Sequence, residues 1–251
     1  MIKKLTLFIL LVITISCSSK KNILYLQNSN TVKISQINYD DIFIQPNDIL
    51  NIVVSSNIPE AVIPYNKQVA SLTGSPELLK LQGYLVSEQY TIKLPELGVV
   101  SVKNKTPEQL EEIIKNKLLL GKHLEAPIVD VRLLNSKVTV LGEVNSPGTY
   151  GFSEKSINLF QALGYAGDLT INGKRNDILL IREENGVRHI EHIDLTSTNL
   201  LKTPYYTIKQ NDVVYVKPNI AKVKSAGYIS NFGTLLSVTS ILISTIVLFS
   251  R

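Results

Sequence analysis

Leu97-Gly98-Val99-Val100-Ser101-Val102, followed shortly by Thr106-Pro107-Glu108-Gln109-Leu110, is the stretch in which the apolar residues change period from strand to helix. Thr106 is an N-cap residue, Pro107 suits the first helical turn, and Gln109 stands at the position that completes a capping box. Leu110, Ile113, Ile114 and Leu118 then recur at helical spacing and form one apolar face, and Gly121 closes the helix. Strand, capped helix and a further strand from Pro127 through Val129 and Val131 describe a mixed α and β unit.

On the N-terminal side the alternation is that of strands. Ile42 and Ile44, then Leu50, Ile52 and Val54, flank the turn Pro46-Asn47-Asp48, which predicts a hairpin. Pro59, Pro64 and Gly74-Ser75-Pro76 break the pattern between Asn57 and Leu79. Gly83 to Val86 and Tyr90 to Pro95 read as another pair of strands. The first unit is thus expected over residues 41–134.

The run Ile44-Gln45-Pro46-Asn47-Asp48-Ile49-Leu50, then Gly83-Tyr84-Leu85-Val86, Ile92-Lys93-Leu94-Pro95-Glu96-Leu97-Gly98 and Thr106-Pro107-Glu108-Gln109-Leu110, resembles the export domain of outer-membrane polysaccharide export lipoproteins, the Wza family. Asn47, Tyr90 and Asn104 stand where that family usually has glycine. Asparagine tolerates a left-handed backbone, whereas Tyr90 leaves the geometry of its turn open.

A second unit is expected over residues 135–220. Val138 to Val144 reads as a strand that resumes at Tyr150, and Ser156 is placed as the cap of a short helix with Leu159, Phe160, Leu163 and Tyr165 inward and Gly167 at its end. Arg175 to Ile181 and Val187 to Ile193 alternate about Asn185-Gly186, a hairpin turn. Tyr206 to Ile208 and Val213 to Val216 close it. Leu141-Gly142-Glu143-Val144, Pro147-Gly148, Ala162, Ala166-Gly167 and Ile208 to Val216 resemble the soluble-ligand-binding β-grasp (SLBB) module of the same family. Ile208-Lys209-Gln210-Asn211-Asp212 also echoes Ile44-Gln45-Pro46-Asn47-Asp48, which reads as shared turn chemistry rather than a repeat.

Both chain ends carry membrane signals. Lys3 and Lys4 precede an apolar run from Leu5 to Ile15, the pattern of a signal peptide over residues 1–16, and Ser16-Cys17 resembles a lipobox with Cys17 the lipidated residue. Thr14 stands where an aliphatic residue is commoner, so general signal peptidase cleavage or a retained anchor stays open. Residues 17–40 are polar and read as a tether. At the other end, residues 225–250 carry no charge and predict a transmembrane helix. Ser230, Thr234, Ser237, Ser244 and Thr245 fall on one side of it, interrupted by Ile241 and Leu248 and with Thr239 opposite. This hydroxyl stripe has two readings: helix packing with hydroxyls returned to the backbone, or a face toward an oligomeric, partly wet interior.

The 251 residues are 44 % hydrophobic and 19 % charged, with a formal charge of +5 that falls to +3 without the two leader lysines. No basic stripe with interleaved aromatics exists, which argues against nucleic acid. A lone cysteine excludes an intramolecular disulfide and multi-cysteine metal sites. His189 and His192 sit three apart on a strand and point to opposite faces, so they share no metal without a bulge. His123 follows Gly121 at the end of the helix. Glu111-Glu112 and Glu183-Glu184 do not converge. No phosphate loop, nucleophile elbow or metal spacing is present, so the sequence predicts no catalytic residues, no cofactor and no enzyme. Tyr84, Tyr205 and Tyr206 are read as packing residues ahead of sugar-stacking ones.

The fold expected is α+β: a periplasmic export domain, an SLBB domain and a C-terminal membrane helix. The resemblance implies an outer-membrane, lipid-anchored ring of identical subunits that exports capsular or exopolysaccharide. It also implies an inner-membrane co-polymerase or tyrosine autokinase as partner. The alternative is a membrane-anchored saccharide-binding or scaffold lipoprotein without a pore.

Overall fold

The computed structural model describes residues 23–29, 41–67, 80–184, 186–225 and 232–249. The expected signal peptide, Cys17 and Ser230 lie outside the described residues.

Two hydrophobic cores form along the chain. In the first, β1 (Ile49–Ser55) is the middle strand of an antiparallel sheet between β2 (Tyr84–Leu85) and β5 (Ile128–Leu133). Its register is Leu50 opposite Tyr84 on one side and Ile52 opposite Val131 on the other. Alternation along β1 buries Leu50, Ile52 and Val54 on one face, as a strand period of two requires. A 3-10 helix (Pro59–Tyr65) follows, and β3 (Thr91–Leu94) pairs with β4 (Gly98–Ser101) as a separate hairpin. Helix α1 (Pro107–Leu120) lies against β5 and buries Leu110, Ile114 and Leu118. Its capping box is formed: Gln109 N–H donates to the Thr106 hydroxyl at 3.3 Å and Thr106 N–H donates to Gln109 Oε1 at 3.2 Å.

Two expected strand pairings are corrected. Residues 41–45 form no strand. Ile44 is buried at 1 % exposure, but one backbone bond pins it, its N–H donating to Lys105 O at 2.9 Å. The left-handed Asn47 (φ 69°) turns this segment away from β1, whose neighbours come instead from residues 84–85 and 128–133. Likewise β2 joins β1, and β3 turns back through left-handed Glu96 and Gly98 to pair with β4. Tyr90 adopts the left-handed backbone (φ 56°) that glycine would take, held by its N–H on Ser87 O and its carbonyl under Val102 N–H. Gly121 is right-handed; Lys122 (φ 57°) makes the reversal after α1.

The second core lies under a five-stranded sheet of order β10-β9-β12-β6-β7, made of β6 (Lys137–Gly142), β7 (Gly148–Gly151), β9 (Gly173–Glu184), β10 (Val187–Ile193) and β12 (Val213–Pro218). β6 and β12 run parallel, and the other pairs are antiparallel. A small pair, β8 (Ile157–Asn158) with β11 (Thr207–Ile208), leads into α2 (Leu159–Tyr165). The cap of α2 is Asn158, whose Oδ1 accepts from Gln161 N–H at 2.9 Å, and not Ser156, because residues 157–158 are taken up by the β8 pairing. Leu159, Ala162 and Leu163 are buried, while Tyr165 is 39 % exposed. Gly167 ends the helix with φ 70°.

Beyond β12 come α3 (Ile220–Ser225) and α4 (Phe232–Phe249). The expected single helix over 225–250 is not what is described: α4 has 18 residues, about 27 Å, against a hydrocarbon core of about 30 Å. No helix among the described residues is long and apolar enough to cross a membrane. Freedom from charge reports what lipid tolerates and not how far a backbone stays helical.

Candidate functional site at the seam between the two units

The turns that echo each other in sequence are built alike. Gln45 N–H donates to Asp48 Oδ2 and Lys209 N–H to Asp212 Oδ2, both at 2.8 Å, and Asn47 and Asn211 are left-handed (φ 69° and 64°). In each, the aspartate closes the turn by accepting the backbone N–H three residues earlier. Both aspartates are buried, at 1 % and 0 % exposure.

Their surroundings differ. Arg182 grips Asp212 with two charge-assisted bonds, Nε to Oδ1 at 3.0 Å and Nη2 to Oδ2 at 2.7 Å, and Nη2 also reaches Thr207 O. Burial pushes the Asp212 carboxyl up and the guanidinium opposes it. Asp48 has an amide in place of the cation: Gln210 Nε2 lies 2.6 Å from Asp48 Oδ1. Desolvation there outweighs the bonds from Gln45 and Gln210 and raises the carboxyl to about 7.

Asn135 joins the turns from between the two units. Its Oδ1 accepts Ile49 N–H and its Nδ2 donates to Asn47 O, both at 2.9 Å, while Gln210 Nε2 lies 3.4 Å from Oδ1. Beside this seam is a cleft of about 490 Å³ lined by residues of both units, among them Glu108, Glu111, Arg132, Phe152 and Lys155. Lys155 Nζ bonds Glu108 Oε1 at 2.7 Å, lowering the Glu108 carboxyl, and Glu111 Oε1 accepts Val131 N–H, tying α1 to β5.

Part of the segment read as a tether is docked. Leu26 N–H and Gln27 N–H donate to Leu195 O and Thr196 O. Tyr25 packs edge-on against Phe160 and donates to Asp168.

The other singled-out residues are dispersed. Tyr84 is buried, and Tyr205 and Tyr206 pack against the second core, with the Tyr205 hydroxyl on Glu191. His189 lies opposite Arg182 and His192 opposite Leu179, on opposite faces of the sheet. His192 Nδ1 and the amines of Lys174 and Lys217 converge on Asp177, which they hold well below the usual carboxylate range. His123 Nδ1 is 3.0 Å from the Tyr65 hydroxyl. Glu183 pairs with Arg188 and Glu184 with Lys209. No group of His, Cys, Asp and Glu that could hold a metal ion exists among the described residues.

On α4, Ser237 and Ser244 are exposed, and Thr245 returns its hydroxyl to Ile241 O at 2.7 Å, as Thr239 does to Leu236 O. Thr234 lies in the same helix. Sequence reasoning missed the seam; its one signal was the repeated Asn-Asp turn.

The two units, in this order, are matched by two domain families. Residues 37–134 match the polysaccharide biosynthesis/export protein family. Those residues are thus an export domain of that family. Residues 136–216 match the SLBB domain, so export domain and SLBB domain follow one another as the resemblance implied. Among curated relatives, the EPS I polysaccharide export outer membrane protein EpsA of Ralstonia nicotianae is 33 % identical over 146 residues, covering 54 % of this chain and 37 % of the relative. The capsule polysaccharide export outer membrane protein CtrA of Neisseria meningitidis is 28 % identical over 186 residues, 72 % of this chain and 45 % of the relative. The chain thus spans less than half the length of these relatives. The relatives are named for export, in line with the sequence reading that the chain is no enzyme.

Proposed function

We propose that this chain exports capsular or exopolysaccharide from periplasm to cell surface, as one subunit of a ring in the outer membrane. The observation that carries this reading is the uninterrupted tandem of export and SLBB domains over residues 37–216. Names of the relatives support the substrate class and the outer membrane. Cys17 as a lipid attachment, with residues 1–16 as its signal peptide, gives a first membrane hold.

The C-terminal helix gives a second. Leu236, Val238, Ile241, Leu242, Ile243 and Leu248 are all more than half exposed, which suits a lipid or helix-packing surface. One helix encloses no lumen, so a pore demands several copies, with Ser230, Thr234, Ser237, Ser244 and Thr245 on the inner or helix-packing side. Energy for transport comes from inner-membrane machinery of the co-polymerase or tyrosine autokinase kind. Negative-stain microscopy of the detergent-extracted full chain tests the ring: closed particles with a central lumen are expected, and a solely monomeric preparation overturns it.

The shortness of α4 favours a second reading, a lipid-anchored saccharide-binding or scaffold protein without a pore. Surface labelling of a cysteine placed at Arg251 separates them. Labelling on intact cells belongs to the exporter and protection to the scaffold.

A further inference from the structure

We propose that Asp48 is a proton-binding site at the seam between the export and SLBB domains, and that taking up a proton there tightens the grip of one domain on the other. The inference stands on the seam geometry and not on the export reading.

The two aspartate-closed turns make the comparison internal to the molecule. Asp212, alike in backbone and burial, is stabilised as an anion by Arg182. Asp48 receives only the Gln45 N–H and the Gln210 amide, and no ion pair to it exists among the described residues. Charged and titratable groups on the elements packed around it are engaged elsewhere or exposed. Lys209 is on Glu184, Asp212 on Arg182, Lys137 and Lys103 are exposed, and Lys105, half-buried, makes no ion pair with Asp48 among the described residues. Tyr84, on the neighbouring β2, is a phenol that burial keeps neutral. An anion at Asp48 is therefore buried with no cation, a costly arrangement, whereas a neutral acid costs little.

The bond across the seam suits the neutral form. Its 2.6 Å is short for an amide donor and ordinary for a carboxylic O–H on a carbonyl. With the Gln210 amide turned by half a rotation, Asp48 Oδ1–H donates to Oε1, which is otherwise buried without a partner, and the long 3.4 Å contact to Asn135 is given up. This exchanges one unpartnered amide atom for another, so the charge decides. Opening the seam hydrates Asp48 and returns it to its ordinary range, so raising pH favours the open seam. Asn135, bonded to both sides of the Asp48 turn and close to Gln210, is the pivot.

Amide hydrogen exchange of the full chain in detergent tests this, with protection over residues 44–50 and 207–212 corrected for intrinsic rates. From a folded value of about 7 and an ordinary value of 3.8, protection is expected to fall about tenfold between pH 6 and 8. In Asp48→Asn it should change less than twofold. A wild type that changes less than twofold, or an Asp48→Asn protein that falls as the wild type does, overturns the proposal. Infrared difference spectra of the wild type read the same group without a variant. A protonated-carboxyl band lost with a midpoint of about 7 is expected, and carboxyl midpoints confined to about 4 overturn it.

Discussion

Gln210 touches Asp48 across 162 positions of sequence, its Nε2 2.6 Å from the carboxyl, so that two turns of the same construction meet at the joint between the domains. Asp212 in one turn is neutralised by Arg182 and Asp48 in the other is not. The same local motif therefore holds one buried carboxyl beside a cation and one without.

Stability carries the sign of that difference. The folded carboxyl of Asp48 is raised, so the folded state binds more protons than the unfolded one between about pH 4 and 7. Its contribution is full below about pH 4 and is lost as pH rises through about 7. Each tenfold difference in proton affinity between the folded and unfolded carboxyl is worth about 1.4 kcal/mol. Asp48→Asn should therefore gain on the wild type by about 2 to 4 kcal/mol more at pH 8 than at pH 4. Urea unfolding at the two pH values measures it; a pH-independent difference contradicts the assignment.

Arg182→Met should cost about 3 to 5 kcal/mol, because it leaves Asp212 buried and unpaired beneath the Gln210 turn. Adding Asp212→Asn should recover a large part of that loss, since the amide keeps the turn without the charge. Chemical denaturation of the single and double variants gives both numbers.

Asn104 is exposed and left-handed (φ 55°). Asn104→Gly should leave stability unchanged or raise it slightly, by up to about 1 kcal/mol, whereas Asn104→Val should lower it by about 1 to 2 kcal/mol. Scanning calorimetry distinguishes the two directions.

On α4, Ser237→Leu with Ser244→Leu should impair ring assembly or export if the hydroxyl side faces neighbouring subunits. The swaps Leu236→Ile and Ile243→Leu, at positions 60 % and 62 % exposed, should leave both intact. Sizing of the extracted assembly and cell-surface polysaccharide are the readouts, and equal tolerance on the two sides makes α4 a plain anchor.

What the sequence determined by itself is what neighbouring residues decide. Thr106, Pro107 and Gln109 start α1, Asn185-Gly186 separates β9 from β10, and the Asn-Asp pairs at 47–48 and 211–212 make turns, because caps and turns close on backbone groups a few residues away. Only the tertiary structure decided that β1 lies between residues 84–85 and 128–133 and not beside residues 42–44, since alternation marks a buried strand face without naming its partner. It alone also decided the fate of the two aspartates. Their local sequences specify the same turn, and the fold then brings Arg182 to one and an uncharged amide to the other, so their different partners were set by residues 30 and 162 positions away.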